Sequence, residues 1–307
     1  MFTGNSYNYE SFNRDVIRRD LNRASMRGPK PGNRAPDFQL TSLNGEKVRL
    51  SDFRDREPVV LTFGSLTCPM TAGSVQGMNE LYEEFDPRDV AFLFVYVREA
   101  HPGEKVPAHS SLRAKTRAAR KLRDEEKIQM PILIDDLQGS VHRKYGMMPN
   151  PVYIIDRSGK VAFRGWWTRP NLVEDALQAL LEPQSPNADP ENSIVCGGED
   201  RSVPLHYGVL FAHRALRRGG KKSLREFREV MGGKGRFALA TSRVAGPIAM
   251  NPGRSLAGAA LAAGVLAGAI YGGLKLRERR LGMRLPYYFP RVRSREKTTG
   301  GYEAVGI

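Results

Sequence analysis

Short apolar runs alternate with stretches of helical spacing over the first 182 residues, which predicts a sheet with helices packed on it. Residues 58–63 (PVVLTF) and 90–97 (VAFLFVYV) are continuous apolar runs, as in buried parallel strands. Between them, apolar residues recur at helical spacing over residues 69–85, which predicts a helix with one buried face. A basic helix over 110–127 and a third run (MPILID) follow. This β-α-β-α-β order predicts parallel strands with right-handed crossovers.

Two strand pairs flank this central unit. Asn44-Gly45 is a strong turn signal between DFQLTS and KVRL, which predicts a hairpin. The stretch NPVYIIDRSGKVAFRGWW reads as strand, turn and strand, and the helical pattern LVEDALQALL follows it. The pattern therefore predicts an α/β fold of three layers with a central mixed sheet.

Composition divides the chain into four parts. Residues 1–30 are a polar segment with one short helix, and residues 31–182 form the predicted α/β domain. Residues 183–193, rich in Pro, Asn and Ser, are typical of a linker. Residues 194–307 form a basic C-terminal extension with one or two short basic helices.

One segment of the extension has the composition of a membrane helix. Residues 255–274 contain no charged residue, and that length is sufficient to cross a bilayer. Gly264, Gly268 and Gly272 are spaced as in membrane helices that dimerise, which favours a homodimer. The high Ala and Gly content leaves a second interpretation, an ordinary Ala/Gly-rich helix or a flexible stretch.

The net charge of the chain limits the classes of partner that we expect. The net charge is +15, and residues 183–307 carry 21 Lys and Arg against 9 Asp and Glu. Such an extension attracts anionic surfaces; we do not expect nucleic acid, because no recognised motif or interleaved aromatic residues accompany the charge. The N-terminus has no apolar signal-like run, which predicts a cytoplasmic or membrane-associated protein with reduced thiols.

Candidate chemistry lies where the strands end, the edge at which α/β sheets bind ligands. Cys68 follows the first apolar run and precedes Pro69, so we expect it at a helix N-terminus, where N–H groups and the helix dipole lower a thiol pKa. The alternative is an inert buried cysteine. We predict no metal site, because the His and Cys residues lack ligand spacing.

Other titratable residues follow the second and last strands. Glu99 and His101 come directly after the run 90–97, and a carboxylate beside a histidine can orient it or raise its pKa. His109 precedes the basic helix, and Arg169 follows Trp166-Trp167, where it can contact an anionic substrate. For each of these residues the alternative is a solvated surface side chain.

The strand, TFGSLTCPMT and the following helix resemble the active site of the thioredoxin-like fold. Thr71 stands where the second cysteine of the C-x-x-C motif would be. The resemblance covers residues 36–181 and implies that Pro151, which opens a later strand, follows a cis peptide bond and faces Cys68.

Three ordered motifs also resemble the iodothyronine deiodinases. TFGSLTCP carries cysteine in the selenocysteine position, and VYVREAHPGEKV and VPAHSSLRAKTRAARKL follow it. The resemblance implies that Cys68 is the nucleophile. It also implies site roles for the residues that match the family motifs, namely Ser65, Thr67, Glu99, His101 and His109, and more loosely Arg169 as a substrate contact.

Three functions follow as hypotheses. The first is reductive dehalogenation of a small-molecule substrate by Cys68, reset by an external thiol reductant and without a cofactor. The second is a one-cysteine peroxidase of the peroxiredoxin type, in which Ser65 takes the place of the usual Thr and a thiol or Cys196 resolves the sulfenic acid. The third is a membrane-tethered thioredoxin-like scaffold without activity.

Overall fold

The computed structural model describes residues 7–20, 27–182 and 198–250. These residues belong to one compact unit, Met1–Arg254. The helices are α1 (Arg14–Asp20), α2 (Pro69–Phe85), α3 (Leu112–Glu126), α4 (Ser140–Lys144), α5 (Pro170–Leu181), α6 (Leu205–Gly219) and α7 (Lys221–Met250). The strands are β1 (Gln39–Ser42), β2 (Lys47–Arg49), β3 (Val59–Gly64), β4 (Ala91–Tyr96), β5 (Ile132–Ile134), β6 (Val152–Ile155), β7 (Val161–Gly165) and β8 (Glu199–Asp200).

The sheet has the strand order β2-β1-β5-β4-β3-β6-β7-β8. Strands β3, β4 and β5 are parallel, as the β-α-β-α-β pattern predicted, and β6 pairs antiparallel with both β3 and β7. The predicted first hairpin is β1 and β2, which pair antiparallel. This topology is the thioredoxin-like mixed sheet that the sequence predicted.

The two central strands are apolar throughout because both faces of the sheet are covered. Every residue of β3 and β4 is buried. Alternate residues point to opposite faces: Phe92 and Phe94 join the core beneath α2, α3 and α5, whereas Leu93 and Val95 join the core on the α4 side. This arrangement holds the carboxyl ends of β3 and β4 side by side.

Local signals fix where the two site-bearing helices begin. Pro69 occupies the first turn of α2, where its missing N–H costs no hydrogen bond. Ser111 caps α3, its side chain accepting a hydrogen bond from the N–H of Ala114 at 3.2 Å. Helix α2 therefore starts directly after Cys68, as the sequence predicted, close to the end of β3.

The N-terminal segment and the helices α6 and α7 pack on the thioredoxin-like domain. Phe12 and Val16 form a buried cluster with α6 and α7 residues, including Leu216 and Phe227. Helix α6 lies so close to α2 that a Cβ atom on Gly73 would be 2.4 Å from the ring of Tyr207. These elements therefore continue the folded unit, whereas the four-part division of the chain stays a prediction.

Some predictions fall on residues that the structure does not describe. The predicted linker 183–193, Cys196 and the apolar segment 255–274 lie outside the described residues. Within residues 7–20, 27–182 and 198–250, no helix has the length and apolar character needed to cross a membrane.

Candidate active site

Cys68 lies at the sheet edge that the sequence predicted. It is the N-cap residue of α2, directly after the loop that follows β3. Its N–H donates to the carbonyl of Ser65 at 3.2 Å, and its carbonyl accepts from the N–H of Ala72 at 3.1 Å. The side chain is buried, with 2% of the residue exposed. The backbone thus holds the thiol rigidly at the start of the helix.

Glu99 is the centre of the hydrogen-bond network beside Cys68. Its Oε2 accepts from the backbone N–H of Thr67 at 3.0 Å and from the Thr67 hydroxyl at 2.7 Å. Its Oε1 accepts from the hydroxyl of Tyr96 and lies 3.0 Å from Nε2 of His109. One buried carboxylate therefore joins the loop before the cysteine to the end of β4 and to the loop before α3.

Further contacts lock these two loops together. The hydroxyl of Ser65 accepts from the N–H of Ala100 at 3.2 Å, and the Thr67 hydroxyl accepts from the N–H of His101 at 3.0 Å. The N–H of Leu66 donates to the hydroxyl of Tyr96 at 3.2 Å. The small hydroxyl residues predicted to support the site, Ser65 and Thr67, therefore act by fixing backbone rather than by facing solvent.

The expected lowering of the Cys68 pKa is wrong for this arrangement. Burial raises the pKa of the Cys68 thiol, the charge of Glu99 adds to the rise, and the N–H groups of Thr71 and Met70 and the Thr71 hydroxyl oppose it. Desolvation of the thiolate outweighs the helix N-terminus because the thiol has almost no contact with water. The structure therefore holds Cys68 as a protonated thiol.

The expected pairing of Glu99 with His101 is also wrong, because Glu99 pairs with His109. Burial acts to raise the pKa of Glu99, but hydrogen bonds from His109, Tyr96 and Thr67 and the charge of His109 hold that pKa below its ordinary value. Four donors on one carboxylate outweigh its desolvation. The buried pair that joins the site is thus Glu99 and His109, with Nε2 of His109 3.0 Å from Oε1 of Glu99.

His101 occupies an apolar cage instead. Its ring lies 4.3 Å from that of Phe12 and 5.4 Å from that of Phe227, centroid to centroid. Its Nδ1 is buried without a hydrogen-bond partner. Burial lowers the pKa of His101 to about 3, against a small opposing effect of the Glu99 charge. The imidazole is therefore neutral near pH 7.

Helices α6 and α7 close the site from above. The guanidinium of Arg218 donates to the carbonyl of Leu66 at 3.2 Å and pairs with Glu125 and Glu126. The hydroxyl of Ser223 donates to the carbonyl of His101 at 2.9 Å. Both loops of the site are therefore hydrogen-bonded to the C-terminal helices.

Two further residues that the sequence analysis singled out lie at the start of β6 and at the start of α5. The N–H of Phe63 donates to the carbonyl of Pro151 at 3.1 Å, so Pro151 lies beside the end of β3. The expectation of a cis bond before Pro151 is wrong, since no peptide bond of the described residues is cis. Arg169 is the N-cap of α5, and its guanidinium pairs with Asp200 at 3.7 Å and donates to Ser202.

Sequence reasoning missed two contributors to the site. Tyr96 ends an apolar strand, and its hydroxyl donates to Glu99. Arg218 lies far along the chain in a basic helix, and only the packing of α6 on α2 brings it to Leu66. A tyrosine at the last position of a buried strand was the one signal that pointed to the first.

Comparison with known proteins finds matches to the part of the chain that carries this site. Residues 31–164 match the AhpC/TSA family. The chain is 30% identical over 161 residues to type I iodothyronine deiodinase of Xenopus laevis and 32% identical over 146 residues to thyroxine 5-deiodinase of Gallus gallus. These matches cover 48% and 44% of this chain and 62% and 55% of the relatives, so the chain spans somewhat more than half of each relative.

A solved structure with a similar fold is a putative thiol:disulfide interchange protein DsbE from Chlorobium tepidum. It superposes with a TM-score of 0.41 at 24% identity, covering 50% of this chain and 98% of that chain.

Proposed function

We propose that this chain, which matches the AhpC/TSA family over residues 31–164 and is 30% identical over 161 residues to type I iodothyronine deiodinase of Xenopus laevis, is a thiol-dependent oxidoreductase that removes iodine from an iodinated aromatic substrate. The observation that supports this proposal is the Glu99 network. It fixes Thr67, the residue before Cys68, at two atoms. A single thiol held at a helix N-terminus suits nucleophilic chemistry without a second cysteine.

The reaction balances with one thiol and one proton. The Cys68 thiol first gives its proton to the Glu99–His109 pair. The resulting thiolate attacks the iodine of the carbon–iodine bond, that bond breaks, and its electron pair takes the stored proton to give a carbon–hydrogen bond. Cys68 is thereby oxidised to a sulfenyl iodide. An external thiol displaces iodide to form a mixed disulfide, and a second thiol reduces this disulfide and restores Cys68.

The proton has a source beside the cysteine. Glu99, His109, Tyr96 and Thr67 form one buried chain of hydrogen bonds. We assign the Glu99–His109 pair to proton storage, because a carboxylate and an imidazole in contact exchange a proton with little rearrangement. His101 is neutral and lacks a partner at Nδ1, so its role in the reaction requires that Phe12 and α7 move off its ring.

Arg169 is the proposed contact for an anionic group of the substrate. Its guanidinium follows β7 and is bound to the Asp200 carboxylate, and a substrate carboxylate can take the place of Asp200 with the same geometry. Arg169→Lys keeps the charge but loses the planar fork, so we expect a higher KM with little change in kcat.

A one-cysteine peroxidase is the second candidate, favoured by the AhpC/TSA match over residues 31–164. In that reaction the Cys68 thiolate attacks the terminal peroxide oxygen, the oxygen–oxygen bond breaks, and the leaving alkoxide takes a proton. Cys68 becomes a sulfenic acid, which an external thiol or Cys196 converts to a disulfide. The guanidinium of Arg218 lies beside the loop that precedes Cys68. It is already bound to the carboxylates of Glu125 and Glu126 and to the carbonyl of Leu66.

The test compares both substrates on the full-length chain. Purified protein is given thyroxine or hydrogen peroxide with dithiothreitol, and iodide release and peroxide loss are measured for wild type, Cys68→Ser and Glu99→Gln. Iodide release that Cys68→Ser abolishes and Glu99→Gln lowers about a hundredfold supports the deiodinase proposal. Peroxide loss without iodide release supports the peroxidase, and no turnover of either supports a scaffold and overturns both enzymes.

A further inference from the structure

The exposed face of α7 carries two large apolar side chains in line. Phe237 and Val244 are 54% and 61% exposed. They are seven residues apart, which places them on the same face two turns along the helix. Ala240 lies between them and is also exposed. An aligned apolar row on the surface marks a place of interaction more often than scattered exposed residues do.

Two exposed arginines lie beside this apolar row. Arg236 and Arg243 precede Phe237 and Val244 by one position each and are exposed. They are also seven residues apart, so they form a second row beside the apolar one. The two rows make up what we call the α7 face, defined by Arg236, Phe237, Arg243 and Val244.

The neighbouring helix adds charge of the same sign. The N–H of His213 in α6 donates to Ser242 of α7 at 2.8 Å, which fixes how the two helices pair. Burial and then the charges of Arg243, Arg217 and Arg228 lower the pKa of His213. Three guanidinium groups from two helices therefore act on one imidazole, which makes this side of α6 and α7 favourable for an anion.

The sequence beside the α7 face contains no opposing charge. From position 230 to position 274 the chain has no Asp or Glu, and its four charged residues are Lys234, Arg236, Arg243 and Arg254. Interfacial helices combine such cations with a row of apolar side chains. A nucleic acid duplex would satisfy the cations but leave Phe237 and Val244 in water.

We propose that the α7 face lies on an anionic phospholipid surface, with Phe237 and Val244 among the acyl chains and Arg236 and Arg243 against lipid phosphates. Arginine suits this position because its stem follows the apolar boundary while the guanidinium stays with the phosphates. The contact is peripheral: the helix lies along the surface and does not cross it.

The first experiment locates the contact on the full-length chain. In a Cys68→Ser, Cys196→Ser background, Ala240→Cys is labelled with an environment-sensitive NBD dye, and Arg120→Cys on the exposed side of α3 is the matched control label. We expect a blue shift at position 240 with phosphatidylglycerol-containing vesicles, none with pure phosphatidylcholine, and none at position 120. Sedimentation with vesicles but no shift at position 240 would assign binding to another part of the chain and overturn the proposal.

The second experiment tests charge and apolar rows separately. Arg236→Ala with Arg243→Ala is expected to weaken vesicle binding about twentyfold, since each cation near an anionic surface contributes about fivefold. Phe237→Ser with Val244→Ser is expected to abolish the blue shift. Arg113→Ala with Arg120→Ala on α3 removes the same charge and should change binding less than about twofold. Equal losses in both arginine pairs, or binding to duplex DNA in place of vesicles, would exclude the proposed face.

Discussion

The Glu99 carboxylate holds Thr67 by two hydrogen bonds, one to its backbone N–H at 3.0 Å and one to its hydroxyl at 2.7 Å. Because Thr67 directly precedes Cys68, the position of the thiol depends on a side chain that lies 32 residues along the chain in another loop. Neighbouring parallel strands make this possible, since β3 and β4 end at the same edge. The acid is thus first a positioning residue for the nucleophile.

Replacing Glu99 by glutamine tests this positioning role. The amide has one oxygen instead of two, so it cannot accept from Thr67 on one side and from Tyr96 and His109 on the other. We expect the free energy of unfolding to fall by about 1.5–3 kcal/mol, the range for hydrogen bonds to a charged group. Urea unfolding measures the loss. Glu104→Gln is the control, because Glu104 binds only N–H groups at the start of α7 at the surface.

Wild type and Glu99→Gln should also differ in how their stability depends on pH. The pKa of Glu99 is lower in the folded protein than in the unfolded chain, so its stabilising effect is present above the unfolded value of about 4.3 and is lost as the pH falls through the folded value. The difference in unfolding free energy between wild type and Glu99→Gln should therefore be constant from pH 7 to pH 5 and shrink below that. A difference that stays constant to pH 3 would contradict the role of the charge.

Sequence patterns predicted the parts of the fold that depend on local signals. The apolar runs gave β3 and β4, Asn44-Gly45 gave the first hairpin, and Cys68 was correctly placed at the start of α2. The pKa of Cys68 and the partner of Glu99 could not be predicted in the same way. The first depends on burial and the second on how the loop between β4 and α3 folds back on itself, and neither leaves a local pattern in the sequence.

His101 should make the protein less stable as the pH falls. Its pKa of about 3 in the fold is below the ordinary value of 6.5, so its neutral form stabilises the fold above pH 6.5 and this effect is lost progressively as the pH falls toward 3. His101→Leu keeps the backbone N–H that binds Thr67 and removes the unpartnered Nδ1. We expect this variant to gain stability over wild type by about 1.4 kcal/mol per pH unit between pH 6 and pH 5. Parallel curves over that range would show that His101 is not buried in solution.

The raised pKa of Cys68 predicts that its thiol reacts slowly with alkylating reagents. Because burial favours the protonated form, alkylation by iodoacetamide should be much slower than for a free cysteine at pH 7.5 and should rise only at pH values above the ordinary thiol range of about 8.5. Mass spectrometry of tryptic peptides follows Cys68 and Cys196 separately. Rapid modification of Cys68 at pH 7 would mean that the helices α6 and α7 do not cover it in solution.

A substitution at Gly73 tests whether the packing of α6 on α2 limits access to Cys68. It lies in α2 against Tyr207 of α6, and a Cβ atom there would be 2.4 Å from the ring, which is too close without movement of α6. Gly73→Ala should therefore push α6 from α2, at a cost of about 1–3 kcal/mol for overpacking, and alkylation of Cys68 should become faster. Thermal unfolding and the alkylation rate are measured on the same samples.

Gly208→Ala is the matched control for this change. Gly208 lies one position beyond Tyr207 in the same helix, and a Cβ atom there meets nothing within 4 Å. Alanine has the higher helix propensity, so this variant should be more stable than wild type by up to about 1 kcal/mol, with unchanged alkylation of Cys68. Faster alkylation in Gly73→Ala alone ties the reactivity of the thiol to the contact between α2 and α6. Equal rates in both variants would mean that Cys68 is reached by a path that this contact does not control.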